Sequence, residues 1–403
     1  MKKLTIVLLS LPLMAMAATE KIDGIEWSYT VSGGKASVGS DMTKGASREC
    51  AAIPPATAGA ISVPSTLGGF SVTTIGEKAF YFCKALTSVK IPGSVTTIGR
   101  SAFCNCESLA SVTIPNGVTT IGDYAFSDCG ALTSVTIPKG VTTIGKAAFS
   151  WCKALKSVTI PNGVTTIGEK AFENCDALTS VKIPDSVTTI GKSAFEGCDA
   201  LASVTIPKRV ATIGEAAFSW CKALKSVTIP NGVTTIGEEA FSWCKALKSV
   251  TIPNGVTTIG EEAFKNCDVL ASVKIPDNVT TIGSDAFSGC KSLNDVYCSD
   301  VQRESLVAGG VNIIGMCRKD LTKLFGAEFG AKKAKYITSF YNIGEIPAYD
   351  YRPEKSFLNF DTYSVMFDLN DEVFFIRAMK DCETLDDLVL LEIKVISAIE
   401  RRG

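Results

Sequence analysis

Histidine is absent from the 403-residue chain, and this absence removes several kinds of chemistry at once. Without imidazole there is no Ser-His or Cys-His nucleophile pair, no usual general base near neutral pH and no His ligand for a metal. Lysine, carboxylate or unusual thiol chemistry stays open, but the sequence contains no recognisable nucleophile–base, metal or phosphate-loop constellation. We therefore expect no enzyme, no cofactor and no metal site.

Net charge is also nearly absent. The 40 Lys and Arg residues and the 41 Asp and Glu residues leave a formal charge of −1. A chain whose main task is nucleic-acid binding carries a basic surplus, so we expect no nucleic-acid partner. With 46% hydrophobic residues the chain is too apolar to be disordered.

Long apolar runs are missing after the N-terminus. Lys2 and Lys3 precede an apolar run to about Ala17, which is shorter than the roughly 20 residues of a transmembrane helix. The run ends in the small-x-small form of a cleavage site. It predicts a bacterial secretory signal peptide over residues 1–17, cleaved after Ala17. We expect a mature chain that is secreted or held at the bacterial cell surface without a transmembrane helix.

An internal repeat dominates what is present. Ten phenylalanines recur at intervals of 23 residues within the pattern I-G-x-x-A-F-x-x-C-x-x-L-x-S/D-V, and most copies continue x-I-P-x-x-V-x-T. Residues 218–240 and 241–263 are identical. The phenylalanines are Phe80, Phe103, Phe126, Phe149, Phe172, Phe195, Phe218, Phe241, Phe264 and Phe287. A fixed period of this length is typical of a solenoid.

Each copy has a physical interpretation as one coil. In residues 86–91 apolar side chains alternate with polar neighbours, as on a strand with one buried face, and the following proline ends that strand. A second extended piece spans residues 95–98, and residues 100–106 are expected to make one helical or 3₁₀ turn that points Phe103 inward. No single coil buries its apolar face, so stacked coils must supply the core.

This pattern resembles the BspA-like, treponemal-type, 23-residue leucine-rich-repeat family over residues 60–298. The resemblance implies a β-rich leucine-rich-repeat solenoid with a parallel β ladder and short helical or 3₁₀ turns. It also implies a bacterial secreted or surface protein, because members are often discussed as adhesins that bind host or matrix proteins or other cells. No set of ligand-binding residues is carried over from the family.

The ends of the chain depart from the repeat. Residues 18–60 are expected to form an N-terminal β cap, with a hairpin over residues 25–38 turning at the two glycines. Residues 61–298 hold the ten-copy solenoid. Residues 299–403 form a separate α/β segment of unknown type, rich in aromatic residues and ending in a plausible helix after a capping box at 384–387.

The 15 cysteines fall into two groups. Equivalent cysteines on stacked coils would hold their Cβ atoms about 4.8 Å apart, beyond the reach of a disulfide, so one cysteine per copy is expected to be a buried apolar residue in a ladder. The ladder comprises Cys83, Cys106, Cys129, Cys152, Cys175, Cys198, Cys221, Cys244, Cys267 and Cys290. Any disulfide is expected to involve the five that remain, which are Cys50, Cys104, Cys298, Cys317 and Cys382.

Two exposed surfaces are candidate binding sites. One is the Ser- and Thr-rich face of the main strands, which either binds a partner over a long area or is an ordinary solvated face. The other comes from the W-C-K-A-L-K copies, in which Trp and Lys together suit an anionic or sugar partner. Its residues are Trp151, Trp220, Trp243, Lys222, Lys225, Lys245 and Lys248. Alternatively the tryptophans simply cover the coil edge, with Glu238, Glu239, Glu261 and Glu262 balancing the lysines.

Three functions compete. The first is an adhesin-like protein that binds a macromolecule, a protein or polysaccharide on host, matrix or a neighbouring cell, through the solenoid. The second is a structural or spacer envelope protein whose C-terminal segment makes the contact. An enzyme in residues 299–403 is the least favoured, since no catalytic constellation is present.

Overall fold

The computed structural model describes residues 16–39, 52–54, 56–293, 295–298, 302, 363–369 and 372–378. Most of the predicted signal peptide lies outside the described residues. So do Cys50, Cys317, Cys382 and the predicted terminal helix.

Three antiparallel strands begin the described chain: β1 (Met16–Ile22), β2 (Ile25–Ser32) and β3 (Lys35–Val38). The turn between β2 and β3 places Gly33 and Gly34 at φ of 57° and 72°, the left-handed conformation that a two-residue hairpin turn requires and that glycine adopts without strain. β1 starts before the expected cleavage site, so cleavage after Ala17 would remove the first two residues of that strand.

The repeat then forms two series of short parallel strands, one strand of each series per coil. The main series contains β4 (Gly59–Ser62), β7 (Leu86–Lys90), β9 (Ser111–Thr113), β11 (Ser134–Thr136), β13 (Ser157–Thr159), β15 (Ser180–Lys182), β17 (Ser203–Thr205), β19 (Ser226–Thr228), β21 (Ser249–Thr251), β23 (Ser272–Lys274) and β25 (Asp295–Tyr297). It is divided into a three-stranded sheet, β4-β7-β9, and an eight-stranded sheet from β11 to β25.

The second series continues the N-terminal cap. It contains β6 (Phe70–Ile75), β8 (Thr97–Ile98), β10 (Thr120–Ile121), β12 (Thr143–Ile144), β14 (Thr166–Ile167), β16 (Thr189–Ile190), β18 (Thr212–Ile213), β20 (Thr235–Ile236), β22 (Thr258–Ile259) and β24 (Thr281–Ile282). The cap strand β3 pairs in parallel with β6, and β5 (Thr66–Leu67) pairs with β6 in the antiparallel direction. Cap and second series therefore form one 14-stranded sheet.

Register follows the sequence period, so each residue pairs with its equivalent one repeat later. Ser157 pairs with Ser180 and Val158 with Val181 in the main series, and Thr166 pairs with Thr189 in the second. Because equivalent side chains then lie one above another, every row of the sequence pattern becomes a straight ladder along the solenoid. The predicted parallel β solenoid is confirmed.

The phenylalanine row forms the centre of the core. Each of the ten rings is at most 2% exposed, and consecutive rings stack with centroids 4.9–5.5 Å apart and planes within 2–10° of parallel. The coil rise of a parallel ladder, about 4.8 Å, sets this spacing. At the N-terminal end Trp27 from the cap meets the first ring, Phe80, edge to face at 6.2 Å. The cap thus covers the open end of the ladder.

The expected helical turn over residues 100–106 is wrong. The segment forms consecutive tight turns in which Ser101 and Asn105 have left-handed φ of 51° and 62°, a conformation that interrupts a right-handed helix. Alternate amides donate to the next coil, as from Phe103 N to Ala125 O at 2.7 Å. Those amides are therefore unavailable for helical bonds, and stacking between coils takes precedence over a local helix.

Beyond the last coil, two short parts are described. Gln302 is buried, and its Nε2 donates to the carbonyl oxygens of Pro276 and Val279 at 2.7 and 2.8 Å. Further on, β26 (Tyr363–Leu369) and β27 (Glu372–Ala378) form an antiparallel hairpin.

Candidate binding surface

The position immediately before each ladder cysteine has a left-handed backbone in all ten copies. Six copies carry Asn, Asp or Gly there, the residue types that tolerate this conformation best, and four carry a bulky aromatic residue. The residues are Phe82, Asn105, Asp128, Trp151, Asn174, Gly197, Trp220, Trp243, Asn266 and Gly289, with φ between 54° and 72°. An aromatic side chain is strained at such a position, so the fold itself does not call for tryptophan here.

Two of the predicted tryptophans are brought together. Trp220 and Trp243 lie on consecutive coils and stack with centroids 4.5 Å apart and planes 8° from parallel. Trp220 is 37% exposed and Trp243 is half-buried. Trp151, which is 42% exposed, lies three repeats before Trp220 and stands apart from this pair. We call the exposed surface formed by Trp220, Trp243 and their lysines the Trp–Lys edge.

Each tryptophan carries its own lysine two residues later. The Nζ of Lys222 lies 5.6 Å from the ring centroid of Trp220, and that of Lys245 lies 5.1 Å from the ring centroid of Trp243. These are cation–π distances. The same arrangement recurs at Lys153 over Trp151, at 5.1 Å. On each of these coils the lysine ammonium group therefore lies in cation–π contact with the indole ring of the same coil.

The charges of the Trp–Lys edge are only partly balanced. Lys222 pairs with Asp199 of the preceding coil at 2.9 Å. Among the residues that the structure describes, Lys225, Lys245 and Lys248 form no ion pair within 4.0 Å. All four lysines are exposed. The edge therefore presents three ammonium groups with no carboxylate partner.

Among the described residues, no direct ion pair joins the four glutamates to the lysines of the Trp–Lys edge. Glu262 pairs instead with Lys265 at 2.6 Å. Burial, and then the carboxylates of Glu262 and Glu238, raise the pKa of Glu239. In the coils of residues 218–263 these glutamates lie at other positions of the repeat than the lysines of the Trp–Lys edge, whereas Asp199 lies in the same row as Lys222.

The ladder thiols are hydrogen-bond donors as well as apolar fillers. From Cys106 to Cys290, each Sγ donates to the carbonyl oxygen of the phenylalanine 26 residues earlier, at 3.0–3.3 Å. These nine thiols are free. Burial raises the pKa of the Cys106 and Cys244 thiols to about 12. Thiols with so high a pKa are unreactive. At the end of the row, the hydrogen bond with Cys267 lowers the pKa of the Cys290 thiol.

Cys83 departs from the predicted ladder because it is disulfide-bonded. Residue 57, which lies 26 residues before it, is a threonine ahead of the first repeat. The phenylalanine carbonyl that holds the other thiols is therefore missing at this coil. Coil spacing keeps equivalent cysteines apart only between stacked repeats, and Cys83 lies in the first repeat, which has no repeat before it. Cys104 is a buried free cysteine, and burial raises its pKa to about 11.

The Ser- and Thr-rich sheet face is exposed along its length. In β13, Ser157 and Thr159 face solvent on either side of the buried Val158. The same holds at the other predicted positions from coil to coil: Ser88, Ser111, Ser134, Ser180, Ser203, Ser226, Ser249 and Ser272, with Lys90, Thr113, Thr136, Lys182, Thr205, Thr228, Thr251 and Lys274. Ser88 is the exception, being half-buried. None of these Ser, Thr and Lys positions carries a large aromatic side chain, so they offer few anchors for a tight contact; in the last strand Tyr297 pairs with Lys274.

Within the described part of the chain, no three His, Cys, Asp or Glu side chains converge as metal ligands. Across the same residues, no helix has the length and apolar character needed to cross a membrane.

The repeat region matches a known protein family. The family model described as the BspA type leucine rich repeat region matches residues 73–202 and 188–303, in six copies. The chain belongs to this family. The match spans more than half of the sequence and coincides with the two strand series. A search of curated proteins finds no match.

Several solved structures are similar to this member of the BspA-type family. A leucine rich cell surface protein from Faecalibacterium prausnitzii is 28% identical, with 74% of this chain and 94% of that chain covered and a TM-score of 0.46. The pneumococcal vaccine antigen PcpA is 21% identical, with 72% and 83% covered and a TM-score of 0.47. The leucine rich repeat protein of T. pallidum is 23% identical, with 72% and 95% covered and a TM-score of 0.31.

Proposed function

We propose that this protein acts at the bacterial cell surface or as a secreted protein, and that it binds a macromolecular partner through the Trp–Lys edge of its solenoid. The predicted signal peptide and the membership of the BspA-type family support the location. The observation that carries the binding role is the placement of Trp220 and the half-buried Trp243 at left-handed positions within a group of four exposed lysines, of which only Lys222 forms an ion pair among the described residues.

The choice of residue gives this observation its weight. Asn, Asp or Gly fill the same position in six copies, and these residues tolerate its left-handed conformation better than tryptophan does. The solenoid therefore closes its coils without tryptophan. Tryptophan is also among the residue types most enriched where binding energy is concentrated.

A variant with asparagine at the three tryptophan positions tests the proposal. The mature chain beginning at Ala18 and its Trp151→Asn/Trp220→Asn/Trp243→Asn variant would be screened against matrix glycoproteins and against acidic and neutral polysaccharides at physiological salt. We expect the variant to lose most of the binding shown by the parent. Asn105, Asn174 and Asn266 occupy the same position in this chain, so the fold should be kept.

Phe82→Asn provides the matched control, because it removes an aromatic residue with the same left-handed φ at the first coil. Unchanged binding by the triple variant would contradict the proposal and place the contact on the sheet face or in residues 299–403. The latter is the result expected if the repeats are a spacer.

A further inference from the structure

The lysines of the Trp–Lys edge lie in two rows along the solenoid axis. Lys248 N donates to Lys225 O at 3.1 Å, which holds these residues at equivalent positions of adjacent coils. Lys222 and Lys245 form the second row beside the tryptophans. Two coils therefore bring four ammonium groups together, and like charges so placed repel one another. Among the described residues, only the ammonium group of Lys222 has an ion-pair partner.

The stacked indoles favour the same sign of charge in a ligand. One face of Trp220 lies against one face of Trp243, and an ammonium group lies near each ring. The solvent-exposed part of the pair is therefore mainly the ring edges. The edge of an aromatic ring is the positive end of its quadrupole, and the indole N–H is a donor. The edges of the stacked indole rings, together with the lysine ammonium groups, therefore suit an anionic ligand better than the apolar face of a neutral sugar.

The linear arrangement favours a polymer over a small anion. Equivalent residues repeat at the coil rise of about 4.8 Å, so a chain lying along the axis meets both lysine rows and both indoles at once. A single small anion meets one or two of these groups. Contacts made in series by one polymer reinforce one another, since each makes the next effectively intramolecular.

From these observations we infer that the Trp–Lys edge binds an anionic polysaccharide, one bearing carboxylate or sulfate groups, laid along the solenoid axis over the coils of residues 218–263. This inference rests on the proposed function and names the class of partner. The lysines receive the acidic groups, and the indole edges pack against the sugar units between them.

Two charge-matched double variants test the role of the lysines in the mature chain. Lys225→Thr/Lys248→Thr removes two lysines from the Trp–Lys edge, and Lys182→Thr/Lys274→Thr removes two from the sheet face. Threonine already occupies equivalent positions in other copies, at Thr179 and Thr205 for example. Both variants should therefore fold, and they change the net charge equally.

The probes are chondroitin sulfate, hyaluronate, neutral dextran and single-stranded DNA, measured by titration calorimetry at physiological salt. We expect the mature chain to bind at least one of the two acidic polymers and not dextran. Lys225→Thr/Lys248→Thr should weaken this binding about tenfold or more, because contacts made in series are lost together. The sheet-face variant should stay within about twofold of the parent, as exposed charges away from a contact contribute little. Comparing the two acidic polymers distinguishes carboxylate from sulfate as the recognised group.

Several outcomes would overturn the inference. Equal weakening by both double variants would assign the binding to net charge. Equal binding of dextran would assign it to neutral sugars, and equal binding of single-stranded DNA would assign it to polyanions in general. If the chain binds a matrix glycoprotein through the tryptophans but neither acidic polymer, the inference fails and the proposed function stands. If Trp220→Asn/Trp243→Asn leaves all binding intact, both fail.

Discussion

At the scale of single residues, the position before each ladder cysteine has the same left-handed backbone in every coil but different side chains. The fold requires the backbone conformation, and the side chain is available for contact with a partner. Asn174 and Gly197 adopt φ of 54° and 68° there, and Trp220 adopts 61°. The backbone is the same in all three, while the side chain differs from small and polar to large and aromatic. The fold therefore does not fix the side chain at this position, and a side chain suited to a partner can occupy it.

This freedom predicts a stability change opposite to the usual effect of truncating an aromatic side chain. Trp151→Asn should leave the free energy of unfolding unchanged or raise it by about 1 kcal/mol, because Asn tolerates the left-handed conformation. Trp151 is 42% exposed, so contacts of its buried part are lost and offset some of this gain. Denaturant titration measures the effect, with Phe149→Leu as the comparison that should destabilise. A loss above about 2 kcal/mol for Trp151→Asn would show that the indole packs for structural reasons.

The buried thiols predict a loss of stability in alkali. Their ordinary pKa is 9.0, and burial raises it to about 12 for Cys106 and Cys244. Below pH 9 the thiols are protonated in both states and contribute nothing to the pH dependence. Above pH 9 the unfolded chain releases protons that the folded chain keeps, so the free energy of unfolding falls by about 1.4 kcal/mol per pH unit for each such thiol.

Chemical denaturation between pH 8 and pH 10.5 measures this slope, which Cys244→Ala should reduce by the share of one thiol. A variant with the slope of the parent would contradict the account of the buried thiols. The parent is the proper reference, because lysine and tyrosine titration is common to both proteins.

At the scale of elements, the phenylalanine ladder and the two strand series hold one coil to the next. Equivalent residues of consecutive coils pair in register, and the rings between them are fully buried. Coupling is therefore strongest between nearest neighbours, as in other solenoids.

Phe172→Ala should destabilise the coil around it by about 3–5 kcal/mol, since it leaves a cavity between two stacked rings. Hydrogen exchange should speed up most in the strands β13 to β16 and less with distance along the solenoid. Phe172→Leu, whose side chain fills much of the cavity, should lower the free energy of unfolding clearly less than Phe172→Ala does. Uniform acceleration from the cap to the last coil would contradict the nearest-neighbour account.

Sequence reasoning reached the period, the strand that ends before Pro92, the inward Phe103 and the parallel stacking, because each is carried by a regular pattern of apolar residues. It missed the thiol donation to Phe80 O and its equivalents, since a hydrogen-bond partner 26 residues away is visible only once the coils are stacked. The left-handed turn was missed as well, although Asn, Asp and Gly at six of ten equivalent positions were a signal for it. A helical turn was predicted instead, because local propensity does not show that amides are donated to the next coil.

At the scale of the whole molecule, the N-terminal cap closes one end of the described solenoid, and acidic and basic residues share rows along it, as in the ion pairs Lys84–Glu107 and Lys222–Asp199. Trp27 covers the first phenylalanine ring, and Gln302 satisfies carbonyls of the last coils. Between these ends the main strands repeat the same Ser, Val and Thr or Lys positions, whereas the stacked Trp220 and Trp243 occur on two consecutive coils.

The central claim is that a partner contacts the Trp–Lys edge, and lysine footprinting tests it most directly. The mature chain would be acetylated briefly with and without saturating chondroitin sulfate, and the modification of each lysine would be read by mass spectrometry. The account predicts protection of Lys225, Lys245 and Lys248, with Lys90 and Lys182 of the sheet face modified as before. Protection of the sheet-face lysines or of residues 299–403, with the Trp–Lys edge still fully reactive, would contradict it.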